Sequence, residues 1–255
     1  LKNFLSGDLT LFFIIISLAF ANLISLLFLL LISSKKIDFL KSKSEKLKER
    51  EKKETNRFLI LISTTALSGM FFSYIDIFML GHFVSGEFIG YYQAALSIIG
   101  SIFPLIPLAA VLFPIFSRIE GGQLERGFKK SLYITALISV ALFILLFLLS
   151  PFLIKIIFGD EYLLAVPLLR ILSLLMLITP SITIYYNYFI AIGKPRITTK
   201  SLIVSTILNI VLNYFLISYF LAYSPFYAVI GASVGTIISR YFYFFVLLIS
   251  KRRLQ

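Results

Sequence analysis

The sequence predicts an all-α protein, a polytopic transmembrane helix bundle with seven spans. Three observations predict it. Seven long apolar runs occupy residues 11–32, 58–80, 88–116, 131–149, 163–190, 202–221 and 228–249, each about the length an α-helix needs to cross a bilayer, roughly 20 residues. Hydrophobic residues make up 59% of the 255, more than a soluble domain of this size can bury. Basic residues fall in every second gap between the runs.

That charge pattern sets the expected orientation. Residues 35–57 hold ten Lys and Arg, residues 118–130 four, residues 194–200 three, and the tail Lys251, Arg252 and Arg253 three. The alternate gaps hold only Lys2 and Lys155. Positively charged loops stay on the cytoplasmic side, so the N-terminus is expected outside and the C-terminus inside a cytoplasmic (plasma) membrane. The net charge of +12 follows from this bias and calls for no nucleic-acid partner; the basic loops suit an anionic lipid surface.

The first run is too long for a cleaved signal peptide, Asp8 precedes it, and its basic cluster follows it. With Leu1 first, an odd number of spans and an external N-terminus, the sequence reads as the C-terminal part of a longer protein. A complete seven-helix protein after processing is the alternative. Residues 33–57 are the one clear internal boundary. Opposite charges at Glu45–Lys48 and Glu49–Lys52 and the apolar Ile37, Phe39, Leu40 and Leu47 fit a short interfacial helix, and a flexible linker fits equally. There is no cysteine, and the single histidine, His82, reads as a solvated loop residue.

Within the later runs, ionisable residues are few and therefore informative, because a charge inside a membrane needs a partner or a cavity. Asp76 shares a stripe of the second span with Thr65, Gly69 and Ser73. Gln93, Ser97, Ser101 and Pro104 mark the third. Arg170 lies in the fifth, on a stripe with Ser173, Pro180, Thr183 and Asn187. The sixth carries Ser201, Ser205, Asn209 and Asn213 at every fourth position. Arg240 stands about twelve residues into the seventh, roughly 18 Å of helix rise, too deep to reach water easily. It shares a face with Ser233 and Thr236, beside Gly231, Gly235 and Ser239, a small-residue pattern that lets another helix approach closely. The fourth run looks nearly featureless and is expected to face lipid. Two readings follow: the polar stripes line a hydrated cavity, or Ser, Thr and Asn join helices while Asp76 pairs with one arginine and leaves the other free. Pro104, Pro107 and Pro114 in the third run and Pro167 and Pro180 in the fifth predict broken helices, whose freed backbone groups must find other partners.

Several stretches resemble one family in order. Asp76 to Gly81 followed by Ile89 to Ala95, then Pro114 to Ser117, Phe158 to Tyr162, Ala191 to Pro195 with Asn209 to Tyr214, and Ile230 to Thr236 resemble the second half of polysaccharide flippases of the Wzx type. These belong with multidrug exporters and lipid II flippases in one superfamily built of two six-helix bundles. The resemblance covers residues 57–250. The turn Tyr223 to Ala228 departs from the family pattern, which places a glycine there, so that turn is expected to be reshaped. The resemblance implies that residues 1–34 are the last helix of an N-terminal bundle, 35–57 a basic cytoplasmic connector, and 58–255 the second six-helix bundle. It implies a flippase moving polyprenyl-phosphate- or diphosphate-linked oligosaccharide, partnered by the bilayer and by the N-terminal half, with no cofactor.

Under that implication Arg170 and Arg240 bind phosphate through their planar forks of donors. Asp76, Asn187, Asn209, Asn213 and Gln93 complete the site, the amides serving sugar hydroxyls. The alternative is a cation-coupled multidrug or metabolite exporter of the same fold, which should present carboxylates where this sequence has one against two arginines. A membrane enzyme is disfavoured, since the expected outer loops are short and Asp160 and Glu161 are adjacent.

Overall fold

A computed structural model describes residues 2–36, 48–103, 112, 114–119 and 121–254; side chains of the first helix are described from Phe12 to Ser33. Among the described residues every regular element is helical. The chain divides into two compact units, Leu1–Lys53 and Glu54–Gln255.

The first unit holds α1, Lys2–Lys36. Its apolar side chains are exposed from Phe12 onward, as a helix that meets lipid or another protein requires. Two of its polar residues are satisfied within the helix: Ser17 and Asn22 donate to the carbonyls of Phe13 and Leu18, each at 2.8 Å. The predicted interfacial helix or linker falls largely on residues 37–47, outside the described residues. The next helix, α2, begins at Glu49 and runs to Phe83, so it takes up the last residues of the predicted connector. Glu51 reaches back to accept the Lys48 N–H at 2.9 Å, a cap that fixes this start.

The second unit contains the rest of α2, then α3 (Gly86–Ile102), α4 (Gly121–Phe158), α5 (Ala165–Leu172), a 3₁₀ segment (Ser173–Leu177), α6 (Thr179–Ala191), α7 (Pro195–Leu221) and α8 (Pro225–Arg252). Six stretches of the described residues are long and apolar enough to cross a membrane; α5 to α6 counts as one of them. The third predicted run appears as α3, and its continuation through residues 104–111, with Pro104 and Pro107, lies outside the described residues.

The fifth predicted run does break. Pro180 has no N–H to give and its ring crowds the carbonyl four residues earlier, so the helix cannot pass through smoothly. The chain answers with the 3₁₀ segment and restarts at α6. Tyr241 of α8 donates to the Leu174 carbonyl at 3.3 Å, giving one group of the break a partner. A second proline, Pro151, lies inside α4, where it leaves the Phe147 carbonyl without its helical donor. The Ser150 hydroxyl supplies the bond instead, at 2.9 Å.

The structure corrects the expectation for the fourth run. One stripe of α4 is buried and polar: Ser131, Thr135, Ser139 and Ser150 all lie within the bundle. Serine and threonine spaced this way among Leu, Ile and Phe give little periodic contrast, which is why the stripe is hard to see in the sequence. The remaining faces of α4 are exposed and apolar, as a lipid-facing surface requires.

Two apolar clusters form the core. One gathers Leu80, Tyr92, Ile99, Leu169 and Leu172 toward the α2–α3 turn. The other gathers Phe72, Phe128, Phe189, Tyr243 and Leu247 toward the opposite end. Helix α2 joins both with a narrow buried stripe, Thr65, Phe72, Asp76 and Leu80, so Asp76 falls between an apolar residue of each cluster.

At the second end the middle of α2 and the start of α7 meet through the Thr65 and Thr199 hydroxyls, 2.6 Å apart. The start of α4 and the ends of α6 and α8 meet where Lys251 binds both Glu125 carboxylate oxygens, at 3.0 and 2.7 Å, and Tyr188 donates to one of them at 2.6 Å. The Lys251 ammonium also lies over the Phe128 and Tyr188 rings. These contacts gather the basic turns of this unit at one end of the bundle.

Candidate functional site

The small-residue pattern of α8 faces the polar stripe of α7. A Cβ on Gly231 would come within 2.8 Å of the Leu216 carbonyl oxygen, and one on Gly235 within 2.5 Å of Asn213 Oδ1. Only glycine permits this approach, and it brings the α7 asparagines against α8 and then against α2.

There they meet Asp76. This carboxylate is 2% exposed and accepts three hydrogen bonds from neutral donors on three different helices. Tyr92 of α3 donates at 2.8 Å, Thr236 of α8 at 2.6 Å, and the Asn213 amide of α7 donates to its other oxygen. The Asn213 amide also donates to Asn209 Oδ1 at 3.3 Å, and Asn209 donates weakly to Thr236 at 3.5 Å. Asn213 Oδ1 is buried with no hydrogen-bond partner and lies against Gly235. Neutral hydrogen bonds of this kind hold a buried carboxylate without a counter-ion beside it.

Beside the network is a cavity of about 340 Å³, lined by Asp76, Gln93, Ser97, Thr236 and Arg240 together with apolar residues such as Phe72. Arg240 stands near the middle of α8 and is partly buried. Its guanidinium lies 4.0 Å from the centroid of the Phe72 ring. Among the described residues it forms no ion pair within 4 Å, with Asp76 or any other carboxylate. The aromatic face supports the cation, and its donors stay available to a ligand.

The sequence-predicted site residues divide accordingly. Asp76, Asn209, Asn213, Gln93 and Arg240 come together, the asparagines as supports of Asp76 and Gln93 on the cavity wall. Arg170 does not join them. It is exposed, donates through Nε to the Ser150 hydroxyl at 3.0 Å, and lies 5.5 Å from the Phe147 ring. It braces the Pro151 site of α4 and takes no part in this cavity. Asn187 is buried in α6, also away from the cavity lining, and has partners of its own there.

Most hydroxyls of the polar stripes also turn inward on their own helices. Ser201, Ser205, Ser233 and Ser239 donate to carbonyls four residues back, so these four hydroxyls are satisfied within their own helices. Tyr92 and Phe72 were not legible as site residues, since an aromatic residue in an apolar run carries no signal of its partner. Among the described residues no group of three or more His, Cys, Asp and Glu comes together to hold a metal.

These features define a class: a multi-pass helical membrane protein with a charge-bearing cavity inside its larger unit. Residues 9–167 match the family model described as "Polysaccharide biosynthesis protein", and the chain belongs to that family. It is 33% identical over 104 residues to the teichuronic acid biosynthesis protein TuaB of Bacillus subtilis (strain 168), covering 39% of this chain and 22% of that protein. It is 31% identical over 138 residues to an uncharacterized membrane protein, MJ1068, of Methanocaldococcus jannaschii, covering 51% of this chain and 25% of that one. The matched stretches thus span about a quarter or less of each relative's length. No solved structure matches the chain.

Proposed function

We propose that the chain is part of a flippase that carries polyprenyl-phosphate- or diphosphate-linked oligosaccharide across the membrane for polysaccharide synthesis. The observation that carries this reading is the Arg240 guanidinium, set deep in a helix, open to the cavity and held by an aromatic ring in place of an acid. An anionic headgroup supplies the missing counter-charge, and a bidentate phosphate suits the geometry of arginine. Gln93 and Ser97 on the same wall offer amide and hydroxyl groups to sugars. Membership of a polysaccharide biosynthesis family, and a relative named for teichuronic acid biosynthesis, support a glycan-bearing substrate.

The mechanism proposed is alternating access. An N-terminal bundle, to which residues 1–34 contribute the last helix, rocks against the bundle of residues 58–255 about this cavity. The basic connector 35–57 and the other basic turns lie on the cytoplasmic side. Asp76 positions α2, α3, α7 and α8 around Arg240 and leaves the phosphate to the arginine.

A cation-coupled exporter is the second reading, and Asp76 on the cavity wall favours it. Both its oxygens, however, already accept bonds from Tyr92, Thr236 and Asn213, so its capacity to hold a cation is reduced.

The test is translocation of a fluorescent polyprenyl-diphosphate sugar in proteoliposomes holding the two-bundle transporter. Flipping that disappears in Arg240→Gln while the protein still folds supports the reading. Undiminished flipping in that variant, or no flipping by the wild type, contradicts it.

A further inference from the structure

A second cavity, of about 440 Å³, lies at the basic end of the bundle between the start of α2 and the turn from α6 to α7. Its lining comprises Glu54, Arg57, Phe58 and Leu61 from α2 and residues 193–197 from the turn. The turn is built to a fixed shape. Gly193 takes φ +70°, the left-handed conformation that ends α6. The Gly193 N–H donates to the Ile190 carbonyl at 2.9 Å and the Lys194 N–H to the Phe189 carbonyl at 2.8 Å, the paired bonds of a Schellman closure. Pro195 then starts α7 at once.

The opposite wall is pinned too. Thr199, one turn into α7, donates to the Leu61 carbonyl at 3.3 Å and meets the Thr65 hydroxyl at 2.6 Å. The cavity therefore presents Arg57, Lys194 and Arg196 on rigid supports, with Glu54 as its one carboxylate. Among the described residues these three cations form no ion pair within 4 Å. No side chain caps the first turn of α7, whose N-terminal dipole adds to the positive field. Phe58 and Leu61 give an apolar wall where α2 enters its long apolar run.

We propose that this cavity binds a phosphate group, supplied by the headgroup of an anionic phospholipid or by free phosphate. The inference is independent of the transport reading, since it concerns other residues at the membrane surface. A phosphate in this cavity is surrounded by a lining that carries three cations, and the apolar wall suits the acyl chains of a phospholipid. Basic clefts at helix ends near the bilayer surface are general receptors for such headgroups.

The experiment uses the purified chain in detergent. Lipid binding is counted by native mass spectrometry with dioleoyl-phosphatidylglycerol and, for comparison, uncharged dioleoylglycerol. Sodium phosphate and sodium chloride at equal ionic strength are compared by thermal unfolding followed by circular dichroism. Wild type, Arg57→Gln/Arg196→Gln and Lys200→Gln are measured. All three residues are exposed, so folding should persist, and the melting curve checks it. Each basic residue near a phosphate strengthens binding about fivefold, so the double variant should bind roughly 25-fold more weakly, with Lys200→Gln unchanged. Binding of phosphatidylglycerol without a response to phosphate identifies the lipid as the source. A response to both identifies the bare phosphate as sufficient. No preference for the anionic probes, or equal binding by the double variant, overturns the proposal.

Discussion

Arg240 and Asp76 line the same cavity, yet Arg240 rests 4.0 Å over the Phe72 ring and the two form no ion pair. Asp76 is instead held by Tyr92, Thr236 and Asn213. The pair should therefore respond differently to substitution. Asp76→Leu strands two hydroxyls and an amide in the core, at about 1–3 kcal/mol per group. Arg240→Gln loses a cation–π contact of about 1–2 kcal/mol and relieves the burial of a charge. Thermal unfolding in detergent should show a much larger fall in Tm for Asp76→Leu. Equal losses would mean that the two residues stabilise each other directly.

Gly231 and Gly235 set the distance between α7 and α8. Alanine at either position meets backbone or the Asn213 side chain well inside contact distance. Each substitution should cost about 1–3 kcal/mol, and Gly235→Ala should also disturb Asp76 because Asn213 must move. Combining Gly235→Ala with Asn213→Ala should recover part of the loss. Additive losses in melting temperature would contradict the contact.

Arg170 should behave as a brace. Arg170→Gln removes its bond to Ser150 and its position beside Phe147, at about 0.5–1.5 kcal/mol, and leaves ligand binding in the Arg240 cavity unchanged. A ligand-binding defect as large as that of Arg240→Gln would return Arg170 to the site.

Lys251 and Glu125 close the basic end, with side chains 7% and 30% exposed. A double-mutant cycle with Lys251→Met and Glu125→Gln should show a coupling of about 0.5–3 kcal/mol. Because the pair is largely shielded, the coupling should survive raised salt. A coupling near zero would show that the rings of Phe128 and Tyr188 alone hold Lys251.

Much of the fold was legible because membrane helices announce themselves by length and by their charged ends. The break before Pro180 was legible from proline chemistry, and a close helix approach at Gly231 and Gly235 from their small-residue spacing, though not that α7 would be the partner. The polar face of α4 was missed because scattered Ser and Thr resemble the helix glue found in any span. Within the site, the sequence pointed to Asp76, Arg240, Asn209, Asn213 and Gln93 as polar groups in an apolar setting. It could not say that Asp76 would be satisfied by neutral donors, since that depends on where Tyr92 and Thr236 fall in three dimensions. Nor could it separate Arg170 from Arg240. Both are arginines inside apolar runs, and only packing shows that one reaches Ser150 at a proline site while the other faces a cavity.

Arg240 is proposed as the phosphate-holding group of this cavity. The most direct measurement is thermal stabilisation of the purified protein in detergent by a short-chain polyprenyl-diphosphate sugar, comparing wild type with Arg240→Gln and with a lipophilic cation as the contrasting ligand. The anionic lipid should stabilise the wild type, this effect should be lost in Arg240→Gln, and the cation should produce little response. Stabilisation by the cation alone, indifferent to Arg240, would contradict that role and make the exporter the better reading.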